Sequence, residues 1–221
     1  MNGNIREWGR LPVYINPAMT NGINPYQSVF HSTLVPGYVV EFIIIDTVFR
    51  GFVENFSPRL NYWRLHRRWA PGPGQHIVSV YICTGDGPSV DYPDFINTHR
   101  IINELINLGA VTSGPSSVVL ECLRDMKEDP IEGYPWQFYE TFGAFMQGVS
   151  ESFLCLLDRI KNRNLGDAPF SLGGLTRSDP YFNYYFRLAT ETINVLRFRP
   201  GLTYLHFLNS AWGYIHPVRL G

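Results

Sequence analysis

An α+β fold is predicted, with an N-terminal, mostly antiparallel sheet followed by a helical C-terminal half. Three observations carry this. Before residue 95 the apolar residues fall in short runs separated by Pro, Gly and Asn, as strands do. After residue 96 they recur at three and four positions, as on a helix face. No helical pattern separates the early strands, so hairpins join them better than crossovers do. One domain, 1–221, is expected, with a sheet-rich lobe at 1–95 and a helix-rich lobe at 96–221.

LPVYINP (11–17) reads as a short strand interrupted by proline. YVVEFIIID (38–46) is a β-branched run that suits a central strand. VFRGFVENF (48–56) has period-two character, and Asn55, Ser57 and Pro58 supply turn chemistry. NYWRLHRRW (61–69) and HIVSVYIC (76–83) are two further strands around the loop APGPGQ (70–75). TGDGPSVDYPD (84–94) is a loop.

INTHRIINELINLGA (96–110) places Ile101, Leu105 and Leu108 on one helix face, with Gly109 as C-cap. SGPSSVVLECLRDM (113–126) opens with Ser and Pro, as a helix start does. EGYPWQFYETFGAFMQGVSESFLCLLDRIKNRN (132–164) is the longest helical stretch, and Lys161 and Arg163 suit its C-terminus. A Gly/Pro-rich loop (165–180) and a helix (181–198) follow, and the tail is mixed.

Hydrophobic content is 45% and charged content 17%, which places the chain among globular proteins. A net charge of −1 gives no whole-molecule attraction to nucleic acid, so any such contact would use a local patch. The three cysteines, Cys83, Cys122 and Cys155, are too few and too scattered for a disulfide framework or a metal site. No apolar run reaches membrane-spanning length, and MNGNIREWGR lacks a signal peptide's apolar core. A cytoplasmic or nuclear protein is expected, without metal or organic cofactor.

No GxSxG, HExxH, paired CxxC or phosphate-binding glycine loop is present. Arg64, Arg67 and Arg68 form a basic cluster with Tyr62, Trp63 and Trp69 interleaved. Such a cluster either holds a phosphate backbone or decorates a solvated sheet face. Glu151 is the informative acid. It stands among Phe145, Met146, Val149, Phe153, Leu154, Leu156, Leu157 and Ile160, which leave a helix little polar face. A carboxylate there is either paired with a distant arginine or aimed into a cleft to stabilise a cationic transition state.

Four segments, in order, resemble ribosome-inactivating proteins, the rRNA N-glycosidases of plant seed toxins and Shiga-type A chains. IIIDTVFRGF (43–52) with NYWRL (61–65) is similar to the family's hairpin. GDGPSVDYPDF (85–95) with INELINLGAVTSGPSSVVLECL (102–123) is similar to its Gly-rich loop and following helices. FMQGVSESFLCLL (145–157) resembles the helix that carries its Ser-Glu-Ala-x-Arg-Phe motif, and FLNSAWGYI (207–215) its Asn-Ser-Trp-Gly segment.

The resemblance implies removal of one adenine from large-subunit ribosomal RNA, with translation inhibited and the ribosome as partner. The base would be extruded and stacked between two rings. By motif, Tyr92 is one stacking ring and Phe49 stands in place of the other tyrosine. Glu151 is the carboxylate and Trp212 the supporting indole. The motif arginine is replaced by Leu154. Arg159 falls eight positions after Glu151, about 80° round the helix. A second register, TETINVLRFR (190–199), offers Glu191 and Arg197 as acid and cation. Two other functions stay open. One is a catalytically inactive relative that binds RNA or protein. The other is an unrelated assembly or viral interaction protein, whose aromatic, low-charge sequence suits an oligomer interface.

Overall fold

The computed structural model describes residues 7–16, 37–69, 76–84, 91–112, 121–122 and 136–198. The architecture is α+β. Strands β1 (Glu7–Ile15), β2 (Leu60–Trp69), β3 (His76–Thr84) and the two-residue β4 (Glu121–Cys122) form one antiparallel sheet in the order β2-β3-β1-β4. β2 and β3 are the hairpin expected from residues 61–83.

Alternation across the sheet puts Leu11, Val13 and Ile15, Val78, Val80 and Ile82, and Trp63 and Leu65 into the buried core. Both β2 and β1 carry partners along part of their outer edges. On the β2 side, the long helix α5 (Trp136–Ile160) lays polar side chains along the strand. Ser150 Oγ accepts from the Leu65 N–H at 3.0 Å, and Gln147 Oε1 accepts from the Trp63 N–H at 3.4 Å. On the β1 side, β4 pairs with Gly9 and Arg10. Residues 110–112 then hold Tyr14 and Asn16 through the bonds Thr112 N–H to Tyr14 O and Asn16 N–H to Ala110 O. Between these anchors stands Pro12, which has no N–H to offer.

The largest departure from the sequence reading is the segment 37–59. Both 38–46 and 48–56 were expected as strands, yet the chain is helical throughout. It runs from α1 (Gly37–Ile43) through a π-helical segment (Ile44–Phe49) into α2 (Arg50–Phe56) and a 3₁₀ turn at Ser57–Arg59. All of α1 is buried. A helix buried on every side shows no amphipathic period, so its Val/Ile content alone reads as a strand. Its uninterrupted length did carry the opposite signal, since strands usually end within ten residues. Strands and helices therefore do not segregate at residue 95. A long helix lies inside the expected sheet lobe, and β4 lies where 113–126 was read as helix.

The expected helix at 96–110 is two helices, α3 (Asp91–Thr98) and α4 (Arg100–Asn107). They are split at His99, whose Nδ1 accepts from the Ile101 N–H and caps α4. Gly109 follows with φ 69°, the left-handed geometry expected of a C-cap glycine. Helix α5 continues through a second π segment (Lys161–Leu165), and after the loop 166–179 comes α6 (Pro180–Phe198). Among the described residues no helix is long and apolar enough to cross a membrane.

Candidate functional site

The residues that the resemblance brings to one site lie in different surroundings. Phe49 ends the first π segment with 0% of its surface exposed. Tyr92, on the first turn of α3, is 3% exposed. Its ring meets Phe56 edge-on at 5.0 Å and Phe52 at 5.8 Å. Both rings therefore act as core, where aromatic pairs favour such edge-to-face contacts.

Glu151 corrects the central expectation. It is exposed on the outer face of α5, and the Gln147 amide donates to its Oε1 at 2.8 Å. The reason is helical phase. Met146, Ser150, Phe153, Leu154, Leu157 and Ile160 point inward, whereas Ala144, Phe145, Gly148, Glu151, Ser152, Cys155 and Arg159 form an exposed stripe. The stripe does not stand out in the sequence because the exposed Phe145 lies on it. Leu154, at the position of the motif arginine, is buried core.

Arg64 is half-buried, with its guanidinium 4.4 Å from the centroid of the Tyr81 ring. Burial pushes its pKa down, and the neighbouring Tyr81 opposes that shift. The guanidinium is stacked against a neighbouring strand, the geometry of a cation–π contact. Positions 67 and 68 pair with Val78 and Ile77 on β3, so they fall on opposite sides of the pleat. The side chains of Arg67 and Arg68 lie outside the described residues, as do that of Arg197 and the whole of Trp212. Glu191 is half-buried on α6.

The buried acids are elsewhere, in the segment misread as strand. Glu41 is fully buried on α1. Asp46, in the first π segment, has a side chain 4% exposed and stands at the centre of a charge cluster. Arg50, one turn on, donates to Asp46 Oδ1 through Nη2 at 2.8 Å and Nε at 3.1 Å. Lys161, at the start of the second π segment, reaches Oδ1 at 2.9 Å and Oδ2 at 3.1 Å. The Tyr185 hydroxyl of α6 donates to Oδ2 at 3.1 Å. Asp158 completes the cluster at 3.0 Å from both Arg50 Nη1 and Lys161 Nζ.

Two carboxylates and two cations balance, so the cluster carries no net charge, with Asp158 on its open side. Burial raises the Asp158 pKa, but Lys161 and Arg50 together outweigh it and hold the carboxyl below its usual value. Burial lowers the Arg50 pKa, and Asp46 and Asp158 more than reverse that. Tyr185 is driven far upward by burial and by the Asp46 charge, so it stays a neutral donor. Tyr181, hydrogen-bonded to Tyr185, is pushed up to about 12, chiefly by burial.

Both Asp46 oxygens are occupied by internal donors. This arrangement clamps three helical segments together and leaves no lone pair aimed at a substrate. One signal in the sequence pointed to part of it, the i,i+4 spacing of Asp46 and Arg50. Lys161 and Tyr185 lie 115 and 139 residues away from Asp46, beyond any local pattern. Among the described residues no group of three His, Cys, Asp or Glu side chains could hold a metal ion. No family model matches the chain, and neither the curated proteins nor the solved structures contain a match.

Proposed function

We propose that this chain is a non-catalytic binding or assembly protein and not an rRNA N-glycosidase. The observation that carries the reading is the arrangement of the motif residues, with Tyr92 and Phe49 sealed in the core and Glu151 open to solvent. Depurination needs the reverse, with rings free to stack an extruded base and a carboxylate in a desolvated pocket beside the sugar. Leu154 in place of the motif arginine removes a cation that would protonate the leaving base.

A protein partner suits the surface better than RNA does. Arg50 and Lys161 are held by carboxylates, Arg64 lies on Tyr81, and Arg100 is tied to Glu104 at 2.7 Å. Phe170 is 87% exposed in the loop 166–179, where Arg100 donates to its carbonyl at 2.7 Å and lies 5.0 Å from its ring centroid. An exposed aromatic is the kind of anchor that protein interfaces use.

The test is incubation with intact ribosomes followed by aniline, which cleaves RNA at an abasic site. No released fragment is expected at micromolar protein. A fragment that vanishes with Glu151→Ala would overturn the reading.

A further inference from the structure

We propose that the outer face of α5 is a self-association surface whose partner is a second copy of this chain, packed antiparallel about Cys155. The inference names a partner for the binding role above and rests on it. The face presents Ala144, Gly148, Glu151, Ser152, Cys155 and Arg159, all exposed. Its two charges are opposite in sign, and each stands four residues from Cys155. On an α-helix they are about 12 Å apart along the axis, with Cys155 midway.

A two-fold axis between antiparallel helices brings position 155 + n of one copy level with 155 − n of the other. Glu151 of each copy then meets Arg159 of its partner, twice per dimer. A parallel, in-register pair would instead set Glu151 against Glu151 and Arg159 against Arg159, so the charges select the antiparallel form. Among the described residues no opposite charge competes for them. Glu151 has only the neutral Gln147 amide, and the Arg159 side chain has no hydrogen bond or ion pair among the described residues. Asp158, next door, is already held by Arg50 and Lys161. By the same rule Gly148 lies level with position 162 of the other copy, and an added Cβ at Gly148 would meet nothing within 4 Å, so that part of the face is open. One helix face buries well under the roughly 800 Å² per partner of a standard interface, so the pairing is weak and reversible.

Sedimentation velocity on the full chain, reduced and at low salt, tests this across micromolar concentrations. A monomer–dimer equilibrium is expected. Glu151→Arg and Arg159→Glu should each weaken it about tenfold, and the two together should restore it to within about threefold. Mild oxidation should link the dimer through a disulfide that Cys155→Ser prevents. A chain that stays monomeric overturns the proposal, as does a dimer for which the double reversal is no better than the single ones. A cross-link that persists in Cys155→Ser overturns it as well. A monomer would leave the ribosome assay untouched, whereas a released RNA fragment would strike the functional reading itself.

Discussion

Asp46→Asn isolates the buried charge cluster, because it keeps the volume and removes the charge. In the native protein Asp46 is 4% exposed and takes hydrogen bonds from Arg50, Lys161 and Tyr185. After substitution Arg50 and Lys161, 18% and 20% exposed, keep only Asp158 as counter-ion. Removing one partner of a fully buried pair costs about 3–5 kcal/mol. Two features reduce that here. The cations are one-fifth open to water, and Asp158, 43% exposed, remains in place. A loss of about 2–3 kcal/mol follows, equivalent to roughly 5–10 °C in Tm for a chain of this size. Urea unfolding followed by tryptophan fluorescence and far-ultraviolet dichroism measures it. Since the clamp should act as a unit, Asp46→Asn with Lys161→Met should cost less than the sum of the two single changes. A single-mutant loss below about 0.5 kcal/mol, or strict additivity, would refute the account of Asp46 as a structural hub.

Stability should fall at both extremes of pH, for opposite reasons. The folded Asp158 pKa is depressed, so its contribution is present above the usual carboxylate range and disappears as pH drops through the lowered value. Tyr181 and Tyr184 are raised to about 12, chiefly by burial, so their contribution is intact below pH 10 and lost between about 10 and 12. Phenolate absorbance at 295 nm, read alongside unfolding, should show these tyrosines ionising only as the fold opens. Tyr92→Ala should destabilise by about 3–5 kcal/mol if the ring is core, whereas Glu151→Ala should cost under about 0.5 kcal/mol. Denaturation midpoints that reversed this order would revive a catalytic pair. Ser150→Ala strips the acceptor from the Leu65 N–H and should cost about 1–2 kcal/mol, measurable in the same assay. Gly109→Ala forces a Cβ into left-handed backbone at φ 69° and should cost about 1 kcal/mol, with Gly109→Asn milder.

Legibility in the sequence followed the range of the forces involved. The β2–β3 hairpin, α5, α6 and the Gly109 cap were readable because each depends on local periodicity or one residue's backbone freedom. The segment 37–59 was misread because α1 is buried all round, and neither its core contacts nor Lys161 and Tyr185 can be seen within a window around Asp46. At the candidate site, the apolar spacing around Glu151 predicts an enclosed acid there, yet the enclosed acids lie on another segment. Glu151 sits on an outward stripe that also carries the exposed Phe145, so the stripe does not read as polar. Asp46 and Glu41, the acids that are enclosed, were concealed by their β-branched surroundings.

The hub also fixes a timetable for the newborn chain. Asp46 leaves the peptidyl transferase centre 139 residues before Tyr185 is added, which at about 5–20 residues per second is a wait of roughly 7–28 s. For most of that interval Arg50 is the one partner of Asp46 already made; Lys161 follows 115 residues after Asp46, and Tyr185 comes last. A chain cut before residue 185 lacks both the Tyr185 donor and most of α6, so it should unfold at lower urea than the full chain.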